Sequence, residues 1–391
     1  MVSEKSTSQY IKERNINKIF HIIRTEKAIS RVEIAKKMKL SQTSVGRSVA
    51  ELMENGYVME GGNIGNSVGR QRILLHVIPQ KVMAIGIYLH KDRIDAGIVD
   101  ISGNVIHCNV YTLSDTSPVH VVESIKIAID TELKQIPDEK LSNLVGIGVS
   151  VPGTVNYKTG VVLQSPTFGW RSLNLGSFLK SCYPYHIIVD NDVKAFAKAQ
   201  RFLNTVEDPN NFLVVHLGTG ISLGEMENGK LSRGINNIAG EVGHIILDPN
   251  GALCDCGRRG CLQTRIGKAA IERELGVSFT EAVRRYHEND MESFQVMNRV
   301  ADEIAMWVAN FVNIFDPNEL ILTGSMLDEW EELYELIVSG CKRFLWEQLP
   351  AGIRIKRPEI RAEANNIVSS ASNVFYKFVI KNGQSCYDYS L

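Results

Sequence analysis

The chain has no apolar run long enough to cross a membrane, and residues 1–15 lack the apolar core of a secretory signal. A cytoplasmic protein with no membrane segment is expected. A disulfide framework is excluded too, because Cys108, Cys182, Cys341 and Cys386 are scattered. Net charge is almost absent, at −1, yet it is unevenly spread. Residues 1–75 hold 13 of the 43 Lys+Arg and 7 of the 44 Asp+Glu, so this stretch carries about +6 and the remainder about −7. A basic N-terminal module on an acidic body suits a polyanion as partner of the module alone. At 391 residues, 44% of them hydrophobic, the chain is too long for one core, and two or three domains are expected.

In the basic stretch, Ile16, Ile19, Phe20 and Ile23 follow the i, i+3, i+4, i+7 spacing of an amphipathic helix. A second helix fits Arg31 to Met38, with Ser30 as N-cap and Glu33 completing a capping box. After a short turn, Ser41 caps a third helix, Gln42 to Glu54, whose inner stripe is Val45, Val49 and Leu52 and which stops at Asn55-Gly56. Tyr57–Glu60 and Arg72–Val77 then form a two-stranded wing. This is the pattern of a winged helix-turn-helix that binds operator DNA. Gln42, Thr43, Ser44, Arg47 and Ser48 are expected on the outer face of the third helix, where small polar groups and one arginine reach base edges and phosphates. Arg31 joins them as a candidate contact. Gly69 and Arg70, in the segment between the wing strands, suit a basic arm entering a narrow minor groove. A trihelical dimerisation module and an ordinary basic linker are the plainer alternatives.

What the chain concentrates is metal-binding chemistry. His244, Cys254, Cys256 and Cys261 offer one imidazole and three thiolates, a tetrahedral set that suits structural Zn²⁺ and leaves no open position. Glu241 stands three residues before His244, so the metal is expected to brace a small-molecule site.

From Val82 onward, strands repeatedly end in Gly- or Asp-bearing turns: Val82–Leu89, the alternating Arg93–Asp100, Leu144–Val151, His186–Val189, Asn211–Leu217 and Glu319–Thr323. This indicates an α/β body with its site at strand ends and two related lobes. The stretches Gly146-Ile-Gly148-Val-Ser-Val-Pro152-Gly153, Asp190-Asn191-Asp192, Leu217-Gly218-Thr219-Gly220, Ala239-Gly240-Glu241-Val242-Gly243-His244, Cys254–Leu262 and Asn313–Pro317 resemble the ROK family of repressors, open reading frames and sugar kinases. The resemblance implies a winged helix-turn-helix over 1–78, then a two-lobed, actin-like and ribonuclease-H-like body. Its first lobe is expected over 79–190 and its second, zinc-bearing lobe over 191–391, with the C-terminal helix returning to the first lobe. A homodimer or dimer of dimers and one zinc per chain are implied as well.

The family also implies a sugar in the interlobe cleft, held here by Gly153, Thr167, Asn191, Asp192, Glu241, His244 and Gln263. Thr167 stands where the family often has Asn, and Gln263 where it has Glu. The phosphate side departs further. Where the family's kinases resemble Asp-x-Gly-Gly-Thr, this chain has Tyr88-Leu89-His90-Lys91-Asp92, and Ser222-Leu223 replace glycines. Loss of ATP binding is expected, leaving a sugar-responsive repressor of carbohydrate genes with no catalytic residue. A sugar kinase with a fused DNA-binding domain is the alternative.

Overall fold

A computed structural model describes residues 7–64, 72–346, 353–358, 362–381 and 384–387. Gly69 and Arg70, the expected arm, lie outside the described residues. The N-terminal module comprises α1 (Thr7–Glu26), β1 (Ile29–Ser30), α2 (Arg31–Met38), α3 (Gln42–Glu54), β2 (Val58–Ile64) and β3 (Arg72–Val77). Ile16, Ile19, Phe20 and Ile23 of α1 are buried with Ile34, Val45, Val49 and Leu52. The Ser30–Glu33 capping box forms, with Glu33 Oε2 accepting the Ser30 N–H at 3.0 Å. Lys39 ends α2 in the left-handed region, and Ser41 starts α3 by accepting the Ser44 N–H at 3.2 Å. β2 and β3 pair antiparallel as the wing, with β1 added on the far side of β3. Ser48 corrects the expected DNA-facing set. It is buried, because it lies three residues after Val45 and four before Leu52 and so falls on the inner stripe.

The body begins with β4 (Met83–Leu89), β5 (Arg93–Asp100), β6 (Val105–Thr112), α4 (Pro118–Leu133) and β7 (Leu144–Val151). It continues through a small sheet of β8 (Thr154–Asn156), β9 (Val161–Ser165) and β10 (Trp170–Leu173), then α5 (Leu175–Cys182) and β11 (His186–Asn191). The main sheet runs β11-β7-β4-β5-β6, an antiparallel meander extended by two parallel strands. After α6 (Asp192–Leu203) come β12 (Phe212–Leu217), β13 (Ile221–Glu227) and β14 (Lys230–Leu231). Next are α7 (Gln263–Ile266), α8 (Lys268–Leu275), α9 (Phe279–His287), α10 (Met291–Phe315), β15 (Glu319–Thr323), α11 (Ser325–Glu329), α12 (Leu333–Cys341) and β16 (Arg354–Lys356). Their sheet runs β14-β13-β12-β15-β16, the same order and the same strand directions as the first. Two sheets of this pattern in one chain define the two-lobed, actin-like body.

The chain ends with α13 (Ala362–Phe375), β17 (Phe378–Lys381) and β18 (Gln384–Tyr387). α13 lies on the first sheet, opposite α4, so β5 is buried on both faces although its polar residues alternate. The helix backbone comes so close that a Cβ on Gly86 would sit 2.1 Å from the Ile367 carbonyl, and one on Gly148 1.9 Å from that of Ser370. The same C-terminal segment docks the N-terminal module. Phe378 meets Phe20 edge-on, and Asn17 exchanges two hydrogen bonds with the Ile380 main chain, at 2.9 and 2.7 Å. The Arg24 guanidinium covers the Phe202 ring at 3.7 Å, and Phe202 in turn stacks on Phe375. The cores of the module and of this side of the first lobe are therefore continuous.

Gly148→Ala should destabilise the protein by about 3 kcal/mol or more through overpacking. Gly46→Ala, within α3 where an added Cβ meets nothing within 4 Å, should stabilise by about 0.5–1 kcal/mol. Chemical denaturation of the two variants checks both signs.

Candidate functional site

The site lies where strands of the first lobe end and loops of the second meet them. β11 ends in Asp190-Asn191, and Asp192 opens α6. Asn191 caps that helix, its Oδ1 accepting the Lys194 N–H at 2.9 Å. Its Nδ2 donates to the Gly153 carbonyl and to Asp192 Oδ1, both at 2.9 Å. The hydroxyl of Tyr88, at the end of β4, donates to Asp192 Oδ2 at 3.3 Å. Beneath them Asp190 is fully buried and receives Arg233 through two nitrogens, at 2.9 and 2.6 Å, and Lys198 at 2.7 Å. Burial alone would push this carboxyl up, but the two cations hold it well below the usual carboxylate range.

A cleft of about 410 Å³ opens beside these groups, within the size range of small-molecule pockets. Gly153, Thr154, Gln164 and Pro166 line it from the first lobe; Ile238, Glu241, His244, Ile245, Cys256 and Arg258 line it from the second. Of the expected sugar contacts, Gly153, Glu241 and His244 thus face the cleft directly, and Asn191 and Asp192 stand behind Gly153. Thr167 sits half-buried in the turn after Pro166. Gln263 points elsewhere: its Nε2 donates to Cys254 Sγ at 3.5 Å, and its Oε1 lies against Gly243. Burial raises the proton affinity of Glu241, Lys194 lowers it, and Asp192 raises it again.

His244, Cys254, Cys256 and Cys261 converge, their ligand atoms all within 4.8 Å of one another. His244 Nδ1 is 3.7 Å from Cys254 Sγ, and the Cys256 and Cys261 sulfurs are 3.6 Å apart. A tetrahedron with metal–sulfur bonds of about 2.3 Å has edges of about 3.8 Å, so the donors fit a closed Zn²⁺ site. The knuckle is built on tight backbone. Cys254 N–H donates to the Arg258 carbonyl at 2.8 Å, and Gly260, with φ 67°, passes so close to Asp248 that no side chain fits. Burial, assisted by Arg258, holds His244 below the ordinary imidazole range and so favours the neutral ring that a metal would need. Burial pushes the Cys256 thiol up, but hydrogen bonds from the Arg258 main chain and guanidinium bring it below its usual value.

On the N-terminal module, Gln42, Thr43 and Arg47 are exposed along one face of α3, with Ser44 half-buried. Arg31 is engaged within the module. Its guanidinium pairs with Glu60 of the wing at 2.7 Å and touches Met53 Sδ at 3.4 Å. Lys194, Arg233 and Arg258 were not expected from sequence. Arg258 alone left a signal, standing between two zinc-type cysteines; the others are isolated cations whose partners are distant in the chain.

A helix-turn-helix module thus stands in front of a two-lobed, actin-like body that carries a cysteine knuckle. The chain belongs to the ROK family, which residues 84–367 match. It is 26% identical over 345 residues to the xylose repressor of Bacillus spizizenii, covering 87% of this chain and 89% of the relative. Among solved structures, a ROK family transcriptional regulator homologous to the Mlc protein of E. coli superposes with a TM-score of 0.77 at 19% identity, covering 94% of this chain and 97% of the other. A ROK family glucokinase from Streptomyces griseus, in complex with glucose and AMPPNP, superposes with 0.65 at 22% identity. It covers 74% of this chain and 98% of the kinase. No helix among the described residues is long and apolar enough to cross a membrane.

Asp192 sets a test of the site's electrostatics. Burial raises its pKa from 3.8 to about 6, more than the Val193 N–H and Tyr88 hydroxyl lower it. A carboxyl whose folded pKa is raised contributes most stability below its unfolded pKa and loses it as pH climbs through the folded one. Asp192→Asn should therefore be more stable than the parent at pH 7.5, by up to about 3 kcal/mol. The gap should narrow below pH 6 and close near pH 4. Melting curves across that range measure it.

Proposed function

We propose that this protein is a sugar-responsive transcriptional repressor, a homodimer or dimer of dimers acting in the cytoplasm. In this reading α3 enters the major groove of a pseudo-palindromic operator, with Gln42, Thr43, Ser44 and Arg47 at its face and Arg70 in the neighbouring minor groove. A sugar binds in the cleft against Asn191, Asp192, Glu241 and His244, and one structural zinc on the four ligands keeps His244 and Glu241 in place. The observation that carries the reading is the continuity between module and body. The core under α1 runs without a break into the first lobe, whose β11 ends at the sugar-facing Asn191. A ligand that prefers one cleft geometry then changes operator affinity, with a coupling of about 1–3 kcal/mol typical of such switches. The names of the relatives support this reading.

ATP-dependent phosphorylation has no part in it. His90 occupies a position where the family's kinases carry glycine, and it is fixed by Asp95 at 2.6 Å, with Arg93 and Asn366 holding the same carboxylate. Side chains thus fill the turn that phosphates need. Incubation of the purified protein with ATP and common hexoses and pentoses should give no sugar phosphate; steady turnover would instead establish a kinase with a fused DNA-binding module.

Arg47→Ala should weaken operator binding by about 10- to 100-fold, the effect of losing one bidentate base contact. Gel-shift titration on DNA selected by the parent protein measures it, and unchanged affinity would remove α3 from the interface. Cys256→Ser should abolish bound zinc in metal analysis and blunt the sugar response; zinc and response both intact would refute the brace.

A further inference from the structure

We propose that α3 reads the 5-methyl groups of thymine in the major groove. Ala50 and the Thr43 methyl make the contacts, and Gly46 lets the helix come close enough for them. This rests on the DNA-binding reading above and adds the sequence class of the operator to it.

Position is the first ground. Thr43, Arg47 and Ala50 follow one another at four and three residues, so they share the face of α3 opposite Val45, Val49 and Leu52. All three are exposed. Gly46 borders the same face, three residues after Thr43 and four before Ala50, and a Cβ there would meet nothing within 4 Å. Its φ is not among the positive ones. Glycine inside a helix is destabilising relative to alanine, yet neither the packing nor the backbone of α3 calls for one at this place. What the missing side chain opens is the outer surface between Thr43 and Ala50, where a base edge can approach the helix.

Chemistry is the second ground. Every base pair presents donors and acceptors in the major groove, and thymine alone adds a methyl group. Gln42 and Arg47 carry the hydrogen-bonding groups that suit adenine and guanine. The Ala50 side chain carries none. A donor or acceptor pressed against its methyl loses water and gains no partner, whereas a thymine methyl buries apolar surface at no polar cost. The Thr43 methyl offers the same kind of contact at the other end of the face. Glu54, exposed one turn beyond Ala50, turns the end of α3 away from phosphates and confines the contact to the first three turns. Thr43 and Ala50 are seven residues apart, about 10 Å along the helix. Bases stack at about 3.4 Å, so the two thymines stand about three steps apart, with the base pair read by Arg47 between them.

The test uses the full-length protein and the duplexes it selects from a random DNA pool, with affinity read by gel-shift titration. Selected half-sites should carry two thymines about three steps apart. Replacing a thymine by uracil removes the methyl and nothing else. Under Ala50 that exchange should weaken binding about fourfold in each half-site, the worth of one buried methyl-sized group. Ala50→Gly should bind the thymine and uracil duplexes equally. Gly46→Ala should melt no lower than the parent yet bind the selected duplex about fivefold or more weakly, through overpacking against the groove; its stability separates lost contact from misfolding. Uracil duplexes that bind as tightly as thymine duplexes at every position overturn the proposal while leaving DNA binding intact. A uracil penalty that persists in Ala50→Gly overturns the role of Ala50, and full affinity in Gly46→Ala overturns that of Gly46. If the pool yields no preferred sequence, the proposal falls; if no duplex is bound at all, the DNA-binding reading falls with it.

Discussion

One buried carboxylate holds the centre of this molecule together. Asp190 ends the last strand of the first sheet, and it is met there by Lys198 from α6 and by Arg233 from a loop of the second lobe. Neither lobe could leave without stranding a charge away from water, which costs about 3–5 kcal/mol when one partner of such a group is removed. The next two residues, Asn191 and Asp192, stand behind Gly153, which lines the cleft. Their positions are thus set by an ionic knot rather than by a loop's own conformation. Lys198 also reaches Asn373 of α13 at 2.9 Å, so the knot joins both lobes to the helix on which the N-terminal module rests.

The cysteine knuckle does for the second lobe what Asp190 does for the first. His244 lines the cleft beside the three cysteine sulfurs, and Arg258 bonds to its main chain and to Cys256. Gln263 belongs to this support through its hydrogen bond to Cys254. Gln263, where the resemblance leads one to expect Glu, thus meets a cysteine sulfur rather than the cleft.

Much of this was legible in the chain because short-range chemistry wrote it. Ser30 and Glu33, three apart, announce a helix start; Cys254, Cys256 and Cys261 announce a metal knuckle; strands running into Gly or Asp turns announce a site at a sheet edge. What stayed hidden depends on partners far apart in sequence. Asp190 and Arg233 are separated by 43 residues, and Asn17 and Ile380 by 363. The two-residue β1 carries no period to read. Ser48 was misplaced because one polar residue on an apolar helical stripe looks the same as one beside it.

The close contact between α13 and Gly86 and Gly148 has a consequence for how the chain is made. The first lobe's sheet is translated early, yet the helix that covers one of its faces comes from residues 362–375, near the end of the chain. The N-terminal module meets the same segment, with Phe20 against Phe378 and Asn17 on the Ile380 main chain. During synthesis, therefore, these contacts form only after residues 362–380 have emerged. A chain truncated before residue 362 would lose these contacts together with the cover of one face of the first sheet, leaving the module joined to the body chiefly through neighbours such as Phe202.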